Sequence, residues 1–133
     1  IFGLNGTNVM LDPEGALWKL STHEPVKVDV SQWNEYTIIA RGNHLVHKIN
    51  GKVTSQLTDY DEKKRALAGL LAIQLHRGNP NSVHIKDLRL KVLPVTEPSS
   101  FDPTSLTAGA VKIEKPRTKS PQGTGPVVPQ TKK

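Results

Sequence analysis

From Val26 to Val92 apolar and polar residues alternate with a period of two, and many of the apolar positions are β-branched. That spacing sends every second side chain to one face, as in a half-buried strand. No window carries an apolar stripe at i, i+3, i+4 and i+7, so the chain is expected to be all-β. The clearest unit is a three-stranded meander from Trp33 to Thr58. Glu35–Arg41 reads as a strand with Trp33 packed at its start, Gly42-Asn43 as a turn, and His44–Ile49 as a second strand. Asn50-Gly51 is a type I′ hairpin signal, because both residues tolerate positive φ, and Lys52–Thr58 returns.

Gly69–His76 and Ser82–Val92 read as two further strands, separated by the loop Arg77-Gly78-Asn79-Pro80-Asn81. In the second, Val83 and Ile85 share one face while Leu88, Leu90 and Val92 share the other. A β-bulge near Lys86-Asp87 would restore both sets to one side. The first 30 residues alternate less clearly. Ile1–Leu4 and Asn8–Leu11 are short-strand candidates, and Asp12-Pro13-Glu14-Gly15 is a turn in which Pro presets φ and Gly takes the left-handed position. Leu45/Ile49, Leu71/Ile73/Leu75 and Leu88/Leu90 would make one apolar inner face, and that face needs a second layer. The opposing sheet is only partly supplied, so its missing half is expected upstream of Ile1.

Composition divides the chain. Of 133 residues, 35% are hydrophobic and ten are proline. Seven of those prolines lie in residues 94–133, among Ser, Thr, Gly and Lys. That stretch holds too few hydrophobes to offset the entropy of ordering it. Residues 1–93 are the expected folding unit and 94–133 a Pro-rich, disordered, flexible linker or tail, able to lead to a fused domain. Phe101 and Leu106, its largest side chains, are the candidates to dock back. The +6 charge splits evenly: 12 basic against 9 acidic side chains before residue 94, and 6 against 3 after it, which sum to the 18 and 12 of the whole. Basic and acidic residues interleave, as in Asp59-Tyr60-Asp61-Glu62-Lys63-Lys64-Arg65, a stretch expected to be solvated. A nucleic-acid surface needs clustered Lys/Arg with aromatic support, and none is present.

No cysteine occurs, which excludes disulfides, thiolate metal sites and cysteine nucleophiles. No apolar run reaches the ~18 residues of a membrane span. No metal-ligand motif, phosphate loop or nucleophile elbow is found, and neither a metal nor a cofactor is expected. Histidine supplies the remaining chemistry, at positions 23, 44, 47, 76 and 84. His44 and His47 are three apart, so they lie on opposite faces of their strand. His47 shares a face with Leu45 and Ile49 and is read as a hydrogen-bonded core residue. His44 lies beside Val46 and Lys48. Gln74 and His76 share the outer face of a strand whose inner face is Leu71, Ile73 and Leu75. An amide beside an imidazole suits sugar hydroxyls, and the imidazole can act as acid or base near neutral pH. Paired carboxylates for ordinary glycoside hydrolysis are absent from the expected strands.

Two segments together resemble a known family. Trp33-Asn34-Glu35-Tyr36-Thr37-Ile38-Ile39-Ala40-Arg41-Gly42-Asn43-His44-Leu45, continuing to Ile49-Asn50-Gly51, is similar to one signature of the 3-keto-disaccharide hydrolase domain family. Gly69-Leu70-Leu71-Ala72-Ile73-Gln74-Leu75-His76-Arg77-Gly78, followed by Val83–Leu93, is similar to its closing signature. Lys48 stands where an aromatic is common, and Lys86-Asp87 where Arg-Asn is usual. The resemblance covers residues 1–93 and corresponds to the C-terminal half of that domain.

The resemblance implies a concanavalin A-like jelly-roll sandwich, here partial, of the bacterial laminarinase-like type. It also implies cleavage of a glycosidic bond in a sugar oxidised at C3. A 3-keto group acidifies the C2 proton, so cleavage by elimination, with or without later water addition, needs a base and an oxyanion stabiliser rather than two carboxylates. On this reading His76 is the catalytic acid/base, and Gln74, Arg41 and His44 bind substrate. The partner is a carbohydrate and the location periplasmic or extracellular, with the export signal outside this sequence. A non-catalytic glycan-binding sandwich is the alternative; it would present an exposed Trp or Tyr to a sugar ring. A protein-interaction sandwich is a third reading.

Overall fold

The computed structural model describes residues 4–73 and 82–114. They are all-β apart from one 3₁₀ turn, Pro103–Ser105. The strands are β1 (Thr7–Leu11), β2 (Leu17–Thr22), β3 (Tyr36–Arg41), β4 (His44–Ile49), β5 (Lys52–Asp59) and β6 (Val111–Ile113). They form one mixed sheet in the order β3-β4-β5-β1-β2-β6. β1 and β5 are parallel and the other pairs antiparallel. This is the architecture expected of one layer of a partial β-sandwich.

The meander forms as its turn residues dictate. Asn50 and Gly51 have φ of 51° and 76°, the type I′ requirement. At Gly42-Asn43 only Gly42 has positive φ, at 53°, the pattern of a type II′ turn. Gly15, at φ 75°, closes the Asp12–Gly15 turn between β1 and β2. β2 was not foreseen, and its register explains why. Pairing shifts between Asn8 and Val9, leaving Leu20 as an extra residue that breaks the alternation. A second shift, between His47 and Lys48, makes Thr54 the extra residue of β5; its hydroxyl donates to the His47 carbonyl at 3.1 Å.

Register partners point to the same side, so the sheet has two distinct faces. On one lie Leu45, Leu57, Val9, Leu11, Leu17 and Ile113, and all of these but Leu45 pack with Leu4 into the core. Burial of each fully enclosed Val or Leu there stabilises the fold by roughly 1.5–3 kcal/mol. His47 is on this apolar face, as expected.

Several expectations need correction. Residues 69–73 and 82–93 join no strand. Alternation sets which way side chains point, but a ladder also needs a neighbouring strand, and neither segment pairs with an edge of this sheet. Their apolar side chains are accordingly exposed, Leu71, Leu88 and Leu90 among them. Asp87 does take positive φ, 53°, where the bulge was expected, though without a ladder. Trp33 is 59% exposed rather than packed. Asp61 is buried rather than solvated, its carboxylate seated against Gly15, where a Cβ would approach Oδ2 to 2.6 Å. Ile1–Gly3 lie outside the described residues, and Leu4 is not in a strand.

Of the tail expected from residue 94, the part to Glu114 lies on the sheet. Phe101 docks edge-on against Tyr60, with ring centroids 5.4 Å apart. The Ser105 hydroxyl approaches the Met10 sulfur at 3.9 Å, and β6 adds to the sheet beside β2.

Candidate functional site

The face opposite the core is where the polar chemistry collects. Successive register pairs align Arg41, His44, Thr58, Met10, Trp18 and Lys112 in one row across all six strands. At the ~4.8 Å spacing of neighbouring strands the row is about 24 Å long. Ile39, Val46, Gln56 and Asn8 form the next row. Along this line the sheet carries a guanidinium, an imidazole and a hydroxyl, then the thioether of Met10, buried at 1% exposure, and beyond it an indole and an ammonium.

His44, Thr58, Trp18 and Lys112 are held by their neighbours. His44 Nδ1 shares a 2.8 Å hydrogen bond with Thr58 Oγ1. Trp18 Nε1 donates to Asp12 Oδ2 at 2.7 Å, and Asp12 Oδ1 accepts from the N–H groups of Ala16 (2.7 Å) and Glu14 (3.1 Å). Burial works to raise the Asp12 carboxyl, but the Trp18 N–H, the two backbone N–H groups and the charge of Lys112 outweigh it, holding the group below the usual carboxylate range. Lys112 Nζ lies 5.7 Å from the centre of the Trp18 ring. The indole is thereby fixed at both edge and face.

Arg41 and His44 were read from sequence as substrate-binding residues, and the fold makes them direct cross-strand partners. Gln74 and His76 lie outside the described residues. Thr58, Trp18 and Gln56 were missed as members of the site. Period-two counting from Lys52 puts Gln56 and Thr58 on a common face, but only pairing puts that face with Arg41 and His44. Lys112 gave no signal, since its strand has three residues.

On the apolar face His47 meets Tyr36: the Tyr36 hydroxyl and His47 Nδ1 are 2.9 Å apart and the rings stand edge to face. Burial pushes the His47 pKa down, favouring the neutral ring, and raises that of the Tyr36 phenol. This is the hydrogen-bonded histidine expected at position 47. A 90 Å³ cavity beside it is lined by Leu4, Leu45 and Leu57. A broader cleft of about 500 Å³ opens at the other end of the sheet, between residues 23–27 and the β4–β5 hairpin. Among the described residues no three His, Asp or Glu side chains converge as a metal site, and no helix is long and apolar enough to cross a membrane.

Comparison with known proteins gives one family. The family model described as the 3-keto-alpha-glucoside-1,2-lyase-like domain matches residues 5–91. No curated protein and no solved structure matches the chain.

Proposed function

Because the chain belongs to the 3-keto-alpha-glucoside-1,2-lyase-like domain family, we propose that it cleaves 3-keto-glucosides by elimination, with the sugar lying at the Arg41–His44 end of the polar face. The observation that carries this reading is the Arg41–His44–Thr58 line, which sets an exposed cation beside a hydrogen-bonded imidazole where sugar hydroxyls can be met. The base removes the proton from C2. Its electron pair passes toward C3, where the ketone oxygen becomes an enolate. Collapse of the enolate breaks the bond from C1 to the glycosidic oxygen, which leaves and takes up a proton. The products are a 1,2-unsaturated 3-keto sugar and the free alcohol; water addition to the former would complete a net hydrolysis.

His76 is proposed as the base and Gln74 as a substrate-binding residue. Arg41 stabilises enolate charge, a task for a preorganised cation, and His44 binds a sugar hydroxyl. A setting outside the cytoplasm, where glycans are degraded, belongs to the same proposal. The test is turnover of a 3-keto-α-glucoside bearing deuterium at C2, compared with its unoxidised parent. Cleavage of the keto sugar alone, slowed by the deuterium and lost in folded His76→Ala, is expected. Equal cleavage of the unoxidised sugar would sink the elimination, because its C2 proton is not acidic.

A second reading has its own support. Trp33 and Tyr36 are 59% and 56% exposed, as a non-catalytic glycan-binding sandwich requires, with Lys86 Nζ 4.5 Å from the centre of the Trp33 ring. Saturable binding of plain oligosaccharide, quenching Trp fluorescence without product, would favour it.

A further inference from the structure

The family match ends at residue 91, yet the sheet continues to use the chain as far as Ile113. The join between these parts is Asn43, a polar residue only 5% exposed. Its side chain makes four hydrogen bonds. Nδ2 donates to the carbonyls of Asp59 (3.0 Å) and Ser99 (3.1 Å), while Oδ1 accepts from the Ser99 N–H (3.0 Å) and Ser99 hydroxyl (3.1 Å). Those bonds fill the hydrogen-bonding capacity of one amide. One side chain thus ties the β3–β4 turn to the end of β5 and to a segment 56 residues away.

The residue before it makes the same contact possible. A Cβ on Gly42 would stand 3.0 Å from the Glu97 carbonyl oxygen and 3.2 Å from Pro98 Cα, so the later segment lies directly on the turn. From there the strap passes Tyr60 at Phe101 and Met10 at Ser105, then supplies Lys112 to the row. Arg41 and His44 immediately flank the clamped Gly42-Asn43 pair, and His44 is bonded to Thr58, next to the Asp59 that Asn43 grips.

We propose that Asn43 is a positioning residue for Arg41 and His44, and that residues 97–113 are a working strap of the sugar-facing row rather than a passive extension. The importance of the row to sugar rests on the function proposed above; the clamp itself does not. With the strap seated, the turn has one geometry and the Arg41–His44 pair one separation. With it released, Asn43 must hydrogen-bond elsewhere and the flanking side chains lose their common reference.

The test uses the full chain, ¹⁵N-labelled, as wild type, Asn43→Ala and Ser99→Ala, the last leaving the turn untouched. In Asn43→Ala, exchange of the Ser99 amide should quicken about tenfold, the factor set by the net contribution of one hydrogen bond. The ring nitrogens of His44 should shift in both variants, less in Ser99→Ala. Those of His47, on the opposite face, should hold still and so report that the sheet is intact. If Asn43→Ala fails to fold, Ser99→Ala decides. An unmoved His44 ring in the folded variants overturns the proposal. On a 3-keto-α-glucoside, kcat should fall several-fold, because a displaced Arg41 loses charge stabilisation made in the transition state, and KM should rise as a displaced His44 loses its sugar hydroxyl. Absence of turnover in the wild type would overturn the proposed function alone, and the His44 resonances would still settle the clamp.

Discussion

Replacing Asp12 by alanine should be one of the costliest single changes to this sheet. The carboxylate is 8% exposed and accepts from the Trp18 indole, the Ala16 amide and the Glu14 amide at 2.7, 2.7 and 3.1 Å. A hydrogen bond to a charged group contributes about 1.5–3 kcal/mol net, but three sharing one carboxylate are not additive, and partly exposed donors regain water. A loss of about 3 kcal/mol follows, or roughly 10–20 °C in Tm for a domain near 100 residues. Asp12→Asn is the informative companion. It keeps an acceptor for the turn amides yet sets an N–H against the Trp18 N–H, so about half the loss is expected. Urea unfolding followed by Trp fluorescence and far-UV circular dichroism measures both. The pH dependence is a second check. A carboxyl held below its ordinary range contributes stability that is present above the unfolded value and lost as pH falls through the folded one. Asp12→Asn should therefore flatten the acid limb of the stability curve. If Asp12→Ala lies within about 0.5 kcal/mol of wild type, the change expected of a neutral surface position, the network does not hold the β1–β2 turn.

Two further outcomes are expected. Gly51→Ala should cost about 1 kcal/mol by chemical denaturation, because φ is 76° while no atom lies within 4 Å of a new Cβ, so the penalty is backbone strain alone; an unchanged midpoint would refute a type I′ hairpin. His47, whose pKa burial pushes down, binds protons more readily when unfolded. Its contribution is therefore whole above the unfolded value near 6.5 and shrinks as pH falls toward 5. His47→Gln should reduce the stability difference between pH 8 and pH 5, and an identical difference would show that the ring is solvated.

What could be read from the chain alone was local. Asn50-Gly51, Gly42-Asn43 and Asp12–Gly15 fix turns because their backbone preferences act within three or four residues. The alternation between them fixes which side chains share a face, which is why His44 and His47 could be separated before any fold was known. The signatures around Trp33–Gly51 and Gly69–Leu93 were enough to indicate the family that the model over residues 5–91 matches. Alternation also misled, over 69–73 and 82–93, since the direction of side chains does not supply a neighbouring strand. Tertiary structure alone decided that β1 lies parallel to β5, which brings Met10 beside Thr58. It alone placed Lys112 at the end of a row beginning at Arg41, and made Asn43 the anchor of Ser99. Pairings across 48 or more residues leave no period in the sequence. They are set by which edges and buried amides remain to be satisfied once the local elements have formed.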